Sequence, residues 1–198
     1  CVSLELLSLF KKAGLTNICF GIESTDPEVL HLASKKISIE TVEKAIREAK
    51  TAGLNTRGFF ILGLPGDSLQ KWRKTLEWIK NSGLDTYALS LATPMPRTPM
   101  YDWIEENGKF LKDPMEHLYH CDCTPAFDEI VFETKDFTKT ERIIAYREGM
   151  KLRHRMDRTT QYIIKTFFRK LKNGELTISH LKHGSRLVWD YITKGYFP

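Results

Sequence analysis

Along residues 3–107 the apolar positions alternate between two rhythms. One is a three-to-four-residue spacing that marks one face of a helix, the other a short unbroken run that marks a buried strand. Ser3 can cap a helix through Lys12, with Leu4, Leu7 and Phe10 or Lys11 on one face and Gly14 as its stop. Residues 17–22 then form a short apolar strand. Asp26-Pro27-Glu28 opens the next helix with a capping carboxylate, a proline at the first turn and an acid facing the dipole. Ser38 begins a longer helix in which Ile39, Val42, Ile46 and Ala49 make one stripe, ended by Gly53. The pattern recurs: a strand over residues 56–62, the loop Gly63-Leu64-Pro65-Gly66-Asp67-Ser68, then a helix with Leu69, Trp72, Leu76 and Ile79 on one side. A third strand covers residues 86–91. Pro94, Pro96 and Pro99 make the following stretch a loop. A helix around residues 100–107 then has Trp103 and Ile104 to bury.

Strands alternating with helices at this spacing predict βα units and a parallel sheet. Three parallel strands are too few to cover both faces, and a closed barrel needs about eight. The expected fold class is therefore α/β: a partial, half-sized parallel βα barrel whose earlier strands lie before Cys1, followed by a C-terminal helical extension. Residues 1–107 are assigned to the barrel part and 108–137 to an irregular connector with Pro114, Pro125 and a short candidate strand at 130–133. Residues 138–198 are assigned to a basic helical extension, opened by the capping box Thr138-Lys139-Thr140-Glu141 and running toward Met156. Further helical stretches are expected near 160–171 and 178–193. In such a half barrel the strand at 18–22 is an open edge, which predicts self-association through it or a partner segment lying on it, the missing N-terminal half of the same protein first.

Composition narrows the class further. With 41% hydrophobic and 28% charged residues, 12 Gly, 8 Pro and 4 Cys in 198, the chain is neither collagen-like, nor low-complexity, nor a disulfide scaffold. No apolar run approaches the roughly 18 residues of a membrane span, and no charged-then-apolar start marks an export signal. Cys1, Cys19, Cys121 and Cys123 are thus expected to be thiols of a reducing compartment, the cytoplasm, with Cys19 in the core. The net charge of +5 is unevenly placed: residues 1–107 balance at 13 basic and 13 acidic side chains, while residues 108–198 carry 17 and 12. Between Arg147 and Lys172 nine basic residues meet only Glu148 and Asp157. With Tyr162, Phe167 and Phe168 among them, this stretch could hold RNA or an anionic lipid surface, or else be a solvated basic face whose aromatics meet a core.

Ligands in parallel α/β folds bind at the C-terminal ends of the strands. Those ends carry Glu23-Ser24, then Gly63-Leu64-Pro65-Gly66, then Ala92-Thr93-Pro94. A carboxylate directly after a buried strand can accept hydrogen bonds from a ribose or an amine; it can equally cap or pair with the following helix. Gly63 and Gly66 allow close approach to the backbone, and they also suit a tight turn. His117, His120, Cys121 and Cys123 place four N/S donors within seven residues, a candidate metal cluster or a polar surface loop with a reactive thiol.

The segment from Phe20-Gly21-Ile22-Glu23-Ser24 through Leu30 and Lys35-Lys36 resembles the region around the fourth barrel strand of radical S-adenosylmethionine enzymes. Ala52-Gly53-Leu54 with Gly58-Phe59-Phe60-Ile61-Leu62-Gly63-Leu64-Pro65-Gly66-Asp67-Ser68 is similar to that family's fifth strand and its glycine-rich turn. Residues 93–101 are similar to its proline-rich loop after the sixth, with Arg97 where glycine is more usual. The likeness is greatest to the subgroup with an N-terminal cobalamin-binding domain. In such enzymes a 4Fe–4S cluster on C-x-x-x-C-x-x-C reductively cleaves S-adenosylmethionine to a 5′-deoxyadenosyl radical. The resemblance implies that Glu23 and Ser24 face the ribose or methionine part of the cofactor, that Ile61–Gly63 pack beside the adenine, that the backbone near Leu91–Thr93, at Ala92, meets its edge, and that Leu64 and Pro65 also belong to the cofactor site. It leaves the catalytic residues unassigned. Neither the cysteine motif nor a Gly-Gly-Glu motif occurs in the chain, and Cys1 lies too close to the fourth-strand segment to be a cluster ligand. The expected protein is accordingly a fragment of an iron–sulfur radical enzyme, a methyltransferase or Fe–S oxidoreductase when intact and possessed of S-adenosylmethionine, the cluster and, in that subgroup, cobalamin. Alone, the fragment is expected to be inactive and to bind none of these tightly. The alternative is a nucleic-acid- or membrane-surface module acting through the basic tail.

Overall fold

Short polar side chains set where the helices begin. In the computed structural model, which describes residues 2–113, 130–156 and 172–173, Ser3 Oγ accepts from the Leu6 N–H at 3.3 Å and opens α1 (Leu4–Lys12). Asp26 Oδ1 accepts from the N–H groups of Glu28 and Val29 at 3.1 and 3.2 Å and opens α2 (Pro27–Leu32). Ser38, Ser68 and Thr98 cap α3 (Ile39–Thr51), α4 (Leu69–Asn81) and α5 (Pro99–Asn107) in the same way. Between the helices run β1 (Asn17–Glu23), β2 (Asn55–Leu62) and β3 (Thr86–Leu91).

These strands form one parallel sheet in the order β1-β2-β3, adjacent in chain order as the crossover pattern predicts. Residue parity along β2 separates its two faces. Thr56, Phe60 and Leu62 are buried against the helices, where Phe60 meets Tyr87 edge-on with ring centroids 5.7 Å apart and Trp72, Ile46 and Ile79 fill the layer. The other parity, with Arg57, Phe59 and Ile61 aligned to Cys19 and Gly21 of β1 and to Ala88 and Ser90 of β3, is less covered by the described residues: Ile61 packs against the cluster of Val29, Ile104 and Val131, while Arg57 is only half-buried. Phe59 is 40% exposed there. Cys19 is exposed too, not a core residue: its neighbours Ile18 and Phe20 face the helices, and strand alternation turns the thiol the other way.

Beyond the sheet, β4 (Gly108–Phe110) pairs antiparallel with β5 (Phe132–Thr134), so the 108–137 stretch contains a two-stranded ribbon. The capping box forms as expected. Glu141 Oε2 accepts from the Thr138 N–H at 2.9 Å, the Glu141 N–H reaches Thr138 Oγ1 at 3.4 Å, and α6 (Lys139–Met156) follows. This helix lies across α4 and β3. Trp72 Nε1 donates to the Ala145 carbonyl at 2.9 Å, the Tyr87 hydroxyl donates to the Gly149 carbonyl, and Arg73 grips Glu148 through Nε and Nη2 at 3.0 and 2.7 Å. The His117–Cys123 cluster, the aromatics of the basic stretch and the helices expected near 160–171 and 178–193 lie outside the described residues. Among the described residues no helix is long and apolar enough to cross a membrane.

Candidate functional site at the strand ends

The chain leaves β1 through a strained turn. Glu23 holds φ +67°, unusual for a residue with a side chain, and the Ser24 N–H closes onto the Ile22 carbonyl at 2.9 Å. The strand register slips between Gly21 and Glu23 at the same place. Positive φ at non-glycine residues clusters at ligand sites, because it persists only where surrounding structure enforces it. Here the Glu23 carboxylate is held by Lys35 Nζ at 3.0 Å, with side chains 20% and 33% exposed. The pair folds back over Gly21, where a Cβ would lie 3.0 Å from Glu23 Oε1 and 3.3 Å from Lys35 Nζ. Asp26, not Glu23, caps α2. Ser24 is buried and its hydroxyl accepts from the Asp26 N–H at 3.1 Å, so part of its hydrogen-bonding capacity is spent within the turn.

At the end of β2, Gly63 holds φ +86° and its peptide groups are occupied on both sides. Its N–H donates to Asp67 Oδ2 at 2.9 Å, and its carbonyl accepts from Arg142 Nη1 at 3.2 Å. Asp67 Oδ1 takes the Ser68 N–H at 2.8 Å. Burial pushes the Asp67 carboxyl up to about 6, against the pull of those N–H donors and of the Arg142 and Lys71 charges. Burial likewise pushes the Arg142 guanidinium down to about 10, which leaves it charged at neutral pH.

Leu64 and Ala92 are buried in an apolar cluster with Val131 and Phe132, and Pro65 is buried beside them. Between Leu62, Ala92 and the 130–132 segment remains a cavity of about 10 Å³, room for one water at most. Ile61 and the Glu23–Lys35 pair are partly exposed at these strand ends, and a wider cleft of about 830 Å³ is lined by Gly66, Asp67, Ser68, Lys71 and Trp103 of the following turn and its neighbours. The structure thus brings Glu23 and Ile61 to an accessible end of the sheet. It places Gly63, Leu64, Pro65 and Ala92 behind that end as its buried support. Sequence reasoning did not single out Lys35, Asp67 or Arg142. For Lys35 and Asp67 the signal was a charge inside an otherwise recognised motif; Arg142 carried none.

Residues 2–79 match the profile of the radical SAM superfamily. That stretch, less than half of the chain, is similar to the superfamily. Among similar proteins are the uncharacterized methyltransferase PH0819 of Pyrococcus horikoshii, 31% identical over 59% of this chain and 27% of its own. The cytidylyl-2-hydroxyethylphosphonate methyltransferase of Streptomyces wedmorensis is 28% identical over 58% and 22%. The hopanoid C-2 methylase of Rhodopseudomonas palustris is 25% identical over 67% and 25%. The chain spans about a quarter of the length of these relatives. The radical SAM match covers α1 through most of α4, so Glu23, Lys35, Gly63 and Asp67 lie inside it and Arg142 lies outside.

The donor set decides which cofactors these residues suit. Glu23 and Lys35 present a carboxylate and an ammonium at one strand end, complementary to the hydroxyls, amine and carboxylate of S-adenosylmethionine. For a 4Fe–4S cluster, the sequence holds no C-x-x-x-C-x-x-C, its cysteines falling at positions 1, 19, 121 and 123, and no group of metal-ligating side chains forms among the described residues.

Proposed function

We propose that the intact protein is a radical S-adenosylmethionine enzyme, a methyltransferase or Fe–S oxidoreductase, and that this chain supplies one wall of its S-adenosylmethionine site. The observation that carries the reading is the Glu23–Lys35 pair folded over Gly21 at the accessible end of a parallel sheet, inside the stretch that matches the superfamily. Relatives named as methyltransferases support the reaction class. When bound, S-adenosylmethionine supplies a sulfonium that activates its methyl and adenosyl groups. Glu23 accepts hydrogen bonds from the ligand's hydroxyl or ammonium groups, Lys35 offsets negative charge beside it, and Ile61 gives apolar contact. Gly63, Leu64, Pro65, Ala92 and Ser24 hold the backbone that these groups stand on.

The 4Fe–4S cluster belongs, on this reading, to further βα units of the same protein packed against the β1 edge. Cobalamin is proposed only on the subgroup resemblance. A cytoplasmic location is supported by the cysteine usage alone. The alternative, a nucleic-acid- or membrane-surface module acting through the basic tail, finds no support among relatives that are named as enzymes. Anaerobic titration of the intact, iron-reconstituted protein with S-adenosylmethionine tests the proposal. Saturable binding with release of 5′-deoxyadenosine or S-adenosylhomocysteine is expected. Absence of binding to cluster-loaded protein overturns it.

A further inference from the structure

Arg142 is the most deeply buried charge in the described fold, 3% exposed, and it comes from α6, 79 residues away from the turn it touches. Its Cζ lies over two rings, 4.1 Å from the Phe132 centroid and 4.7 Å from that of Phe137. Its Nε donates to the Phe137 carbonyl at 3.0 Å, and its Nη1 donates to the Gly63 carbonyl at 3.2 Å. Asp67 takes the N–H of the same glycine at 2.9 Å. One residue at the end of β2 is thereby gripped on both of its peptide groups, from two different elements. The fit leaves no slack: a Cβ on Gly63 would lie 2.1 Å from Arg142 Nη1.

Only a guanidinium meets these demands together. It places its charge over both aromatic rings and spreads its donors in a plane, so Nε and Nη1 reach separate carbonyls. A lysine ammonium offers one donor centre and no plane to stack. Burying a charge at this depth is costly unless it is paired and hydrogen-bonded. General packing of α6 does not require it either, because Trp72, Tyr87 and Arg73 already anchor that helix elsewhere.

We infer that Arg142 is a positioning residue for the Gly63–Asp67 turn, fixing the backbone of the strand end that carries the S-adenosylmethionine site. The inference rests on the functional reading above for its ligand, though not for the clamp itself. Arg142 does not touch the ligand on this view; it sets the backbone that the ligand meets.

The test uses the intact protein with Arg142→Met, Arg142→Lys and, as control, Met150→Ala, which loosens α6 in the core away from the turn. Two quantities are read: amide hydrogen exchange over residues 62–68, and S-adenosylmethionine affinity. Both Arg142 variants are expected to speed exchange in the turn at least tenfold while residues 56–60 stay protected. They should also weaken S-adenosylmethionine binding about tenfold, with lysine giving no rescue. Met150→Ala should lower thermal stability yet leave turn exchange and affinity within twofold. Turn exchange unchanged in Arg142→Lys overturns the clamp, as does an equal effect from Met150→Ala. Parent protein that fails to bind S-adenosylmethionine overturns the functional reading instead, and the exchange data still decide the clamp.

Discussion

Asp67 is a buried acid whose native carboxyl titrates near 6, above its ordinary value of 3.8. A raised carboxylate pKa means that the folded state binds the proton more tightly than the unfolded one. The resulting stabilisation is present below about pH 4 and is lost as the pH rises through about 6, each unit of separation being worth about 1.4 kcal/mol. Asp67→Asn should flatten that part of the stability profile, measured as thermal midpoints across pH 3.5–7. A parallel profile for the two proteins would show that the carboxyl titrates normally. Glu23 makes a different kind of contribution, through the ligand. In the intact protein Glu23→Ala should weaken S-adenosylmethionine binding by roughly 1.5–3 kcal/mol, the worth of a hydrogen bond to a charged group. Calorimetric titration that finds unchanged affinity would leave Glu23 as the salt-bridge partner of Lys35 and nothing more.

At the scale of elements, the docking of α6 is governed by close approach. Gly149 lies where a Cβ would meet Leu89 Cδ2 at 2.7 Å and Trp72 Cζ2 at 3.1 Å. Helix propensity alone favours Gly149→Ala by about 1 kcal/mol. Overpacking of a tight core contact costs about 1–3 kcal/mol, and the carbonyl of the same residue is the acceptor for the Tyr87 hydroxyl. The packing effect should win, so Gly149→Ala is expected to destabilise in urea denaturation; a gain in stability would mean that α6 can shift without loss. Gly63→Ala should be worse. A side chain in the left-handed region costs about 1–2 kcal/mol before any clash, and the clash falls on Arg142. Pairing it with Arg142→Ala removes the clash, so urea denaturation of the double variant should recover at most the clash part of the loss and leave the backbone part.

Among the described residues the parallel sheet stands unfinished. One face is covered by helices, and the other exposes Phe59 and Cys19, with β1 at the sheet's edge. On α1, Leu4, Leu6, Leu9 and Phe10 are exposed as well. Parallel sheets are stable when both faces are covered, and an open edge is a template for pairing. We expect the isolated chain to self-associate, with light scattering after gel filtration reading a dimer or larger species. Leu9→Lys combined with Phe59→Lys should shift it toward monomer. A parent chain that runs as a well-behaved monomer at high concentration would count against further βα units or a second copy on this face.

Caps, glycine stops and apolar rhythm are local, so the sequence by itself determined the helices from Ser3 to Asn107, the three strands and their parallel order. The capping box at Thr138 was legible for the same reason. It also singled out Glu23 and Gly63, because residues just after a buried strand must lie at one end of the sheet. Tertiary structure alone decided which face of the sheet is open, and so turned Cys19 outward when its apolar neighbours suggested a core position. It alone paired Glu23 with Lys35 across α2, since an ion pair between loops leaves no periodic trace. Above all it brought Arg142 to Gly63. That contact depends on where α6 crosses the sheet, and a helix's own sequence encodes which face is apolar but not which strand end its one buried charge will meet.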